Sequence, residues 1–166
     1  MPADDDLGLF LASASSSLLR RATSSPSSTP NSVLESEDRV WARLSQSGSR
    51  DVDLNATWAF YTALLLDLRF ASGVNVNQIR IRVYEGSKDI SGINILRLVH
   101  RIHIRLADLS LMTAKSFEFS DSKSTKFAMS LYFKAMLLMP DVGIVYSKLA
   151  ALAKSPLDIV YYLCLS

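Results

Sequence analysis

From about residue 92 to 115 the chain repeats apolar side chains at three- and four-residue intervals, with no glycine or proline after Gly92 to interrupt the pattern. Ile95, Leu98, Val99, Ile102, Leu106 and Leu109 fall on one side of a helix. A stripe that long needs other helices beside it, which points to an all-α fold. Alongside the stripe run Arg97, Arg101 and Arg105 at successive i+4 steps, with Asp108 one turn further on and two histidines, His100 and His103, between them.

Other segments supply the neighbouring helices. Ser32 and Glu35 form an S-x-x-E capping box ahead of Val33, Leu34, Val40, Trp41 and Leu44, which share a face, and Gly48 closes the segment. Asn55 reads as the N-cap of a second helix carrying Trp58, Tyr61, Leu65 and Leu68, with Phe60 and Leu64 widening the stripe, and Gly73 as its end. Core packing is the expected role of Trp58 and Tyr61. A helix over Lys126 to Met139 ends at Pro140, which lacks the donor N–H. Another runs from about 143 to 154, and a last one starts at Pro156. "QIRIRVY", Gln78 to Tyr84, alternates like a strand, but a strand without a partner elsewhere reads better as an irregular or helical connector. "EGSKDISG" and "SDSKST" read as loops.

Composition divides the chain unevenly. Thirteen of the first fifty residues are serine, and "TSSPSSTPN" ends a stretch too polar to offset its ordering entropy by burial. Residues 1–31 are therefore expected as a disordered tail, with at most a transient helix near Leu7 to Leu19, and 32–166 as one helical domain. The net charge of +2 is too balanced to point to nucleic acid by itself. No run of about 18 uncharged apolar residues occurs, so no spanning helix is expected. The single cysteine, Cys164, excludes an intramolecular disulfide framework and a Cys-rich zinc site.

Ala128, Tyr132, Ala135 and Pro140 are spaced like the second helix of a tetratricopeptide repeat, in which small residues let helices approach and proline ends the unit. In the same register Tyr146, Leu149 and Ala150 take positions of the next first helix, and Ser116 and Phe119 positions of the preceding one. Antiparallel helical pairs of this kind stack because none buries its apolar face alone. The chain stops within what should be a further helix, so an α-solenoid incomplete at its C-terminus is expected.

Two segments resemble the Est/SMG adaptor family of telomerase and nonsense-mediated mRNA decay. "VHRIHIRLADL" is similar to the family's H-R-x-x-[IL]-x-L-G-D-L-x-R-Y, matching at His100, Arg101, Leu106, Asp108 and Leu109. "YFKAMLLMPDVGIVYSKLAALAKS" is similar to the segment that follows, matching at Tyr132, Ala135, Pro140, Gly143, Tyr146, Leu149 and Ala150. The resemblance covers about residues 95–166 and implies a 14-3-3-like domain of tetratricopeptide-type pairs. It further implies binding of phosphorylated partners and pairing with a related adaptor. Ala107 replaces the motif glycine, Leu111 and Met112 replace its Arg-Tyr, and Ser147-Lys148 replaces an Asn-Gln pair. The lost arginine matters because guanidinium forks hold phosphate oxygens bidentately.

No nucleophile–base pair, phosphate loop or carboxylate pair emerges, and His100 and His103 lack further ligand types nearby in sequence. No enzyme activity, metal or cofactor is expected. Arg97, Arg101 and Arg105 are a solvated face in the simpler reading and one wall of an anion-binding groove in the sharper one. The resulting expectation is a protein-interaction adaptor of mRNA decay, cytoplasmic and also nuclear, with protein partners that include phosphorylated ones, within an RNA–protein complex and away from membranes. The competing expectation is a helical RNA- or telomere-binding protein using the arginine face with Arg80 and Arg82.

Overall fold

The computed structural model describes residues 3–23, 30–46, 50–72, 80, 90–116 and 122–166. Its helices are α1 (Ala3–Thr23), α2 (Pro30–Gln46), α3 (Arg50–Ser72), α4 (Ile90–Ser116), α5 (Ser122–Leu138), α6 (Ile144–Leu152) and α7 (Pro156–Leu165). No strand occurs among the described residues, so the all-α class holds. The alternating segment Gln78 to Tyr84, apart from Arg80, lies outside them, as do Arg82 and Phe119. The chain divides into two compact units, Met1–Leu98 and Val99–Ser166, where composition pointed to a tail and one domain.

In the first unit α1, α2 and α3 pack against one another. Residues 3–23, expected as disordered, are helical, and Leu18 and Ala22 are fully buried. Tertiary burial outweighs the poor intrinsic helix preference of the serines, a term that composition does not contain. α2 starts at Pro30, two residues before the expected cap. Proline suits a first helical turn because its missing N–H would be unsatisfied there anyway. Ser32 therefore lies within the helix, where its carbonyl accepts from the Ser36 hydroxyl at 2.8 Å. Asn55, expected as an N-cap, is an exposed residue inside α3.

The core face of α2 is Val33, Glu37, Val40 and Leu44, and that of α3 is Thr57, Phe60, Tyr61, Leu64 and Leu68. Trp58 and Leu65 are only half-buried, so the α3 stripe is centred one position away from the expected one. Tyr61 meets Phe60 edge-on at 5.1 Å and Trp41 at 6.0 Å. Its hydroxyl donates to the carboxylate of fully buried Glu37 at 2.7 Å, so the acid on the apolar stripe is answered from the facing helix.

In the second unit α6 packs on both α5 and α7. α5 begins at Ser122, within the expected loop "SDSKST", and the Ser110 hydroxyl of α4 reaches the Ser124 carbonyl at 3.3 Å. Ala128, Tyr132 and Ala135 have no exposed surface, and Val145, Tyr146, Leu149 and Ala150 are buried on α6. Pro140 lies in the exposed turn after α5, closed by the Val142 N–H to the Met139 carbonyl at 3.3 Å. Gly143 is required for a close approach: a Cβ there would stand 2.5 Å from the Ser166 carbonyl oxygen.

Tyr61→Phe keeps the ring and removes one donor to a buried carboxylate. It should lower the unfolding free energy by about 1–3 kcal/mol with the denaturant slope unchanged, read by urea titration.

Candidate functional site

α4 is buried over most of its circumference. The expected stripe of Ile95, Leu98, Val99, Ile102, Leu106 and Leu109 is fully inside, and a second stripe of Leu96, His100, His103 and Ala107 is inside too. Among the partly open positions are Arg97, Arg101, Arg105 and Asp108, all half-buried, with Met112 exposed beyond them. The arginine stripe is thus the half-buried rim of a buried helix.

Asp108 is the focus of this rim. Tyr132 of α5 donates its hydroxyl to Asp108 Oδ1, and Lys148 Nζ of α6 reaches the same oxygen at 2.8 Å. One carboxylate thereby joins three helices, each through a residue that lies within the resembling segments. Burial, the hydrogen bond to Asp108 and the charge of Asp108 together push the Tyr132 phenol far above its usual pKa. Tyr132 is therefore held as a donor and keeps its proton throughout the physiological range. Lys148 occupies the second position of the expected Asn-Gln pair. Its link to Asp108 was not foreseen, because nothing in linear spacing brings residues 40 apart together.

The histidines have separate roles. His103 Nδ1 lies 2.8 Å from the Val99 carbonyl, which orients its ring along the helix. His100 is buried, and its Nε2 has no hydrogen-bond partner among the described residues. Desolvation first, then the neighbouring positive charge of Arg101 and His103, lowers its pKa from 6.5 to about 4. A neutral imidazole packed in the core accounts for it. No group of three or more His, Cys, Asp or Glu side chains able to hold a metal gathers among the described residues.

Ala135, Tyr146 and Leu149 act through packing alone, and Pro140 through chain termination. α7 turns Leu157, Val160, Tyr161, Leu163 and Leu165 outward, along with Cys164. No family model matches the chain, and no curated protein or solved structure is significantly similar to it.

Two measurements probe this site. Tyr132→Phe should cost about 1–2 kcal/mol and Lys148→Met less than about 1 kcal/mol, since the lysine is partly solvated. Because both converge on one oxygen, the double variant should depart from additivity in a denaturation cycle. The second concerns pH. The unfolded chain takes up the His100 proton near 6.5 and the folded one only near 4, so stability is full above about 6.5 and drains as pH falls towards 4. The loss approaches roughly 3 kcal/mol by pH 4, and His100→Leu should flatten that part of the stability–pH curve.

Proposed function

We propose that this chain is a helical protein-interaction adaptor, allied in function to the Est/SMG adaptors of nonsense-mediated mRNA decay. In this reading its helical pairs stack in the 14-3-3-like, tetratricopeptide manner and present a groove to partner proteins. The observation that carries the proposal is the Asp108–Tyr132–Lys148 junction, which draws residues of both resembling segments to one point beside the rim of Arg101 and Arg105. Rim guanidinium groups held on a rigid helix are suited to a carboxylate or phosphate on a partner. The apolar side chains that α7 exposes support the same reading, since exposed apolar surface marks interaction sites. Pairing with a related adaptor, and residence in cytoplasm and nucleus, follow from the proposal.

Phosphate recognition through α4 is weakened by Leu111, which is half-buried and stands where the resembling motif has arginine. Leu111→Arg can extend its head to solvent while its stem replaces the leucine packing. Isothermal calorimetry with a phosphoserine peptide should then show a gain of about tenfold over the wild type, the order of one charge-assisted contact. No gain would remove the groove from the proposal. Tight, steeply salt-dependent RNA binding with indifference to peptides would replace the adaptor reading with the nucleic-acid one.

A further inference from the structure

The closing turn of α1 sets an exposed hydroxyl beside two exposed cations. Arg20, Arg21 and Thr23 all face solvent, while Leu18 and Ala22 are fully buried. The arginines precede the threonine by three and two positions. The Thr23 hydroxyl donates back to the Leu19 carbonyl at 2.9 Å, and Thr23 is the last residue of the helix. Arg21 Nη1 donates to Ser36 Oγ of α2 at 3.0 Å, so the same turn is bonded to the neighbouring helix.

A pair of arginines just ahead of a hydroxyl suits a serine/threonine kinase whose substrate groove is lined with carboxylates, since charge pattern is how such enzymes choose their substrates. A groove of that kind takes its substrate as an extended chain, so the turn must open before it can be read. Helix ends open more readily than helix middles. Opening residues 20–23 gives up the burial of the Ala22 methyl and the bond from Arg21 to Ser36. Leu18, the larger buried side chain at this end, lies in the preceding turn and keeps its place.

We propose that Thr23 is a phosphorylation site for an arginine-directed serine/threonine kinase, and that the phosphate keeps the end of α1 unwound. Thr23 Oγ1 forms a bond to the γ-phosphorus of ATP as the bond from that phosphorus to the β–γ bridging oxygen breaks. ADP leaves, and the hydroxyl proton passes to the carboxylate base of the kinase. The product no longer donates to the Leu19 carbonyl, and it sets about two negative charges at the negative end of the helix dipole. An open chain lets both arginines turn towards the phosphate, whereas in a helix residues two apart do not face each other. Drawing Arg21 to the phosphate takes it off Ser36 and loosens α1 from α2. The site needs neither the adaptor reading nor the α4 rim.

The test incubates the full chain with ATP and the catalytic domain of an arginine-directed kinase, and maps the phosphate by tandem mass spectrometry. Thr23 should take up about one phosphate per chain. A proline-directed kinase, for which Ser25 and Thr29 stand before prolines, should leave Thr23 unmodified. Arg20→Gln together with Arg21→Gln should lower kcat/KM at least about tenfold. Thr23→Val should abolish incorporation at this position, and Thr23→Ser should retain it. Circular dichroism melting establishes that the variants fold, and Arg20→Gln alone carries the test if the double variant does not. After phosphorylation, amide hydrogen exchange over residues 20–23 should quicken at least about threefold. Phosphate confined to Ser24 or another hydroxyl, incorporation indifferent to the arginines, or no incorporation would each overturn the site. Exchange as slow as in the unmodified chain would overturn the unwinding.

Discussion

A tyrosine hydroxyl donated to a carboxylate across a helix pair anchors each of the two units. In the first it is Tyr61 of α3 on Glu37 of α2, and in the second Tyr132 of α5 on Asp108 of α4, the partners standing 24 positions apart in both cases. Apolar stripes alone permit neighbouring helices to slide by a turn with little change in buried area. A buried acid does not, because moving it away from its donor leaves a desolvated carboxylate without that bond. The polar pair therefore selects one register, and the surrounding tyrosine, leucine and alanine packing supplies most of the burial.

The second unit builds further on its pair. Lys148 adds α6 to the junction, so the helix after Pro140 is tied back to α4 by charge, while Val145, Tyr146 and Leu149 are buried on α6. The same oxygen of Asp108 takes both the phenol and the ammonium, one helical turn from half-buried Arg105. Near this rim His100 remains neutral, since burial first and then the neighbouring Arg101 and His103 oppose its protonation. The chemistry gathered here is that of a rigid, positively edged surface. In the other unit, the cleft between α1 and α2 is lined by serine hydroxyls and by the Arg43 guanidinium stacked on Phe10.

Much of the helical framework was legible from residue spacing. The α4 stripe, the break at Pro140 and the small-large-small positions Ala128, Tyr132 and Ala135 all lie as periodicity requires, because burial on a helix recurs every three or four residues whatever packs against it. Helix starts were less legible. Asn55 and Ser32 have the chemistry of caps yet sit inside helices, since local capping competes with tertiary burial that extends a helix past its best cap. Glu37 was invisible as a core residue because an acid on an apolar stripe is distinguishable from a solvated one only when its donor is known.

The order of residues by itself determined the all-helical class, the inward faces of α4 and α5, and the identity of the motif residues, all of which depend on local spacing and side-chain type. Tertiary structure alone decided that a serine-rich segment becomes α1, that Asp108 belongs with Lys148, and that Arg21, Arg39 and Arg43 share one cleft. Each of these brings together side chains distant in the chain or draws on burial against another helix. Linear spacing carries no term for either, whereas the folded geometry sets both.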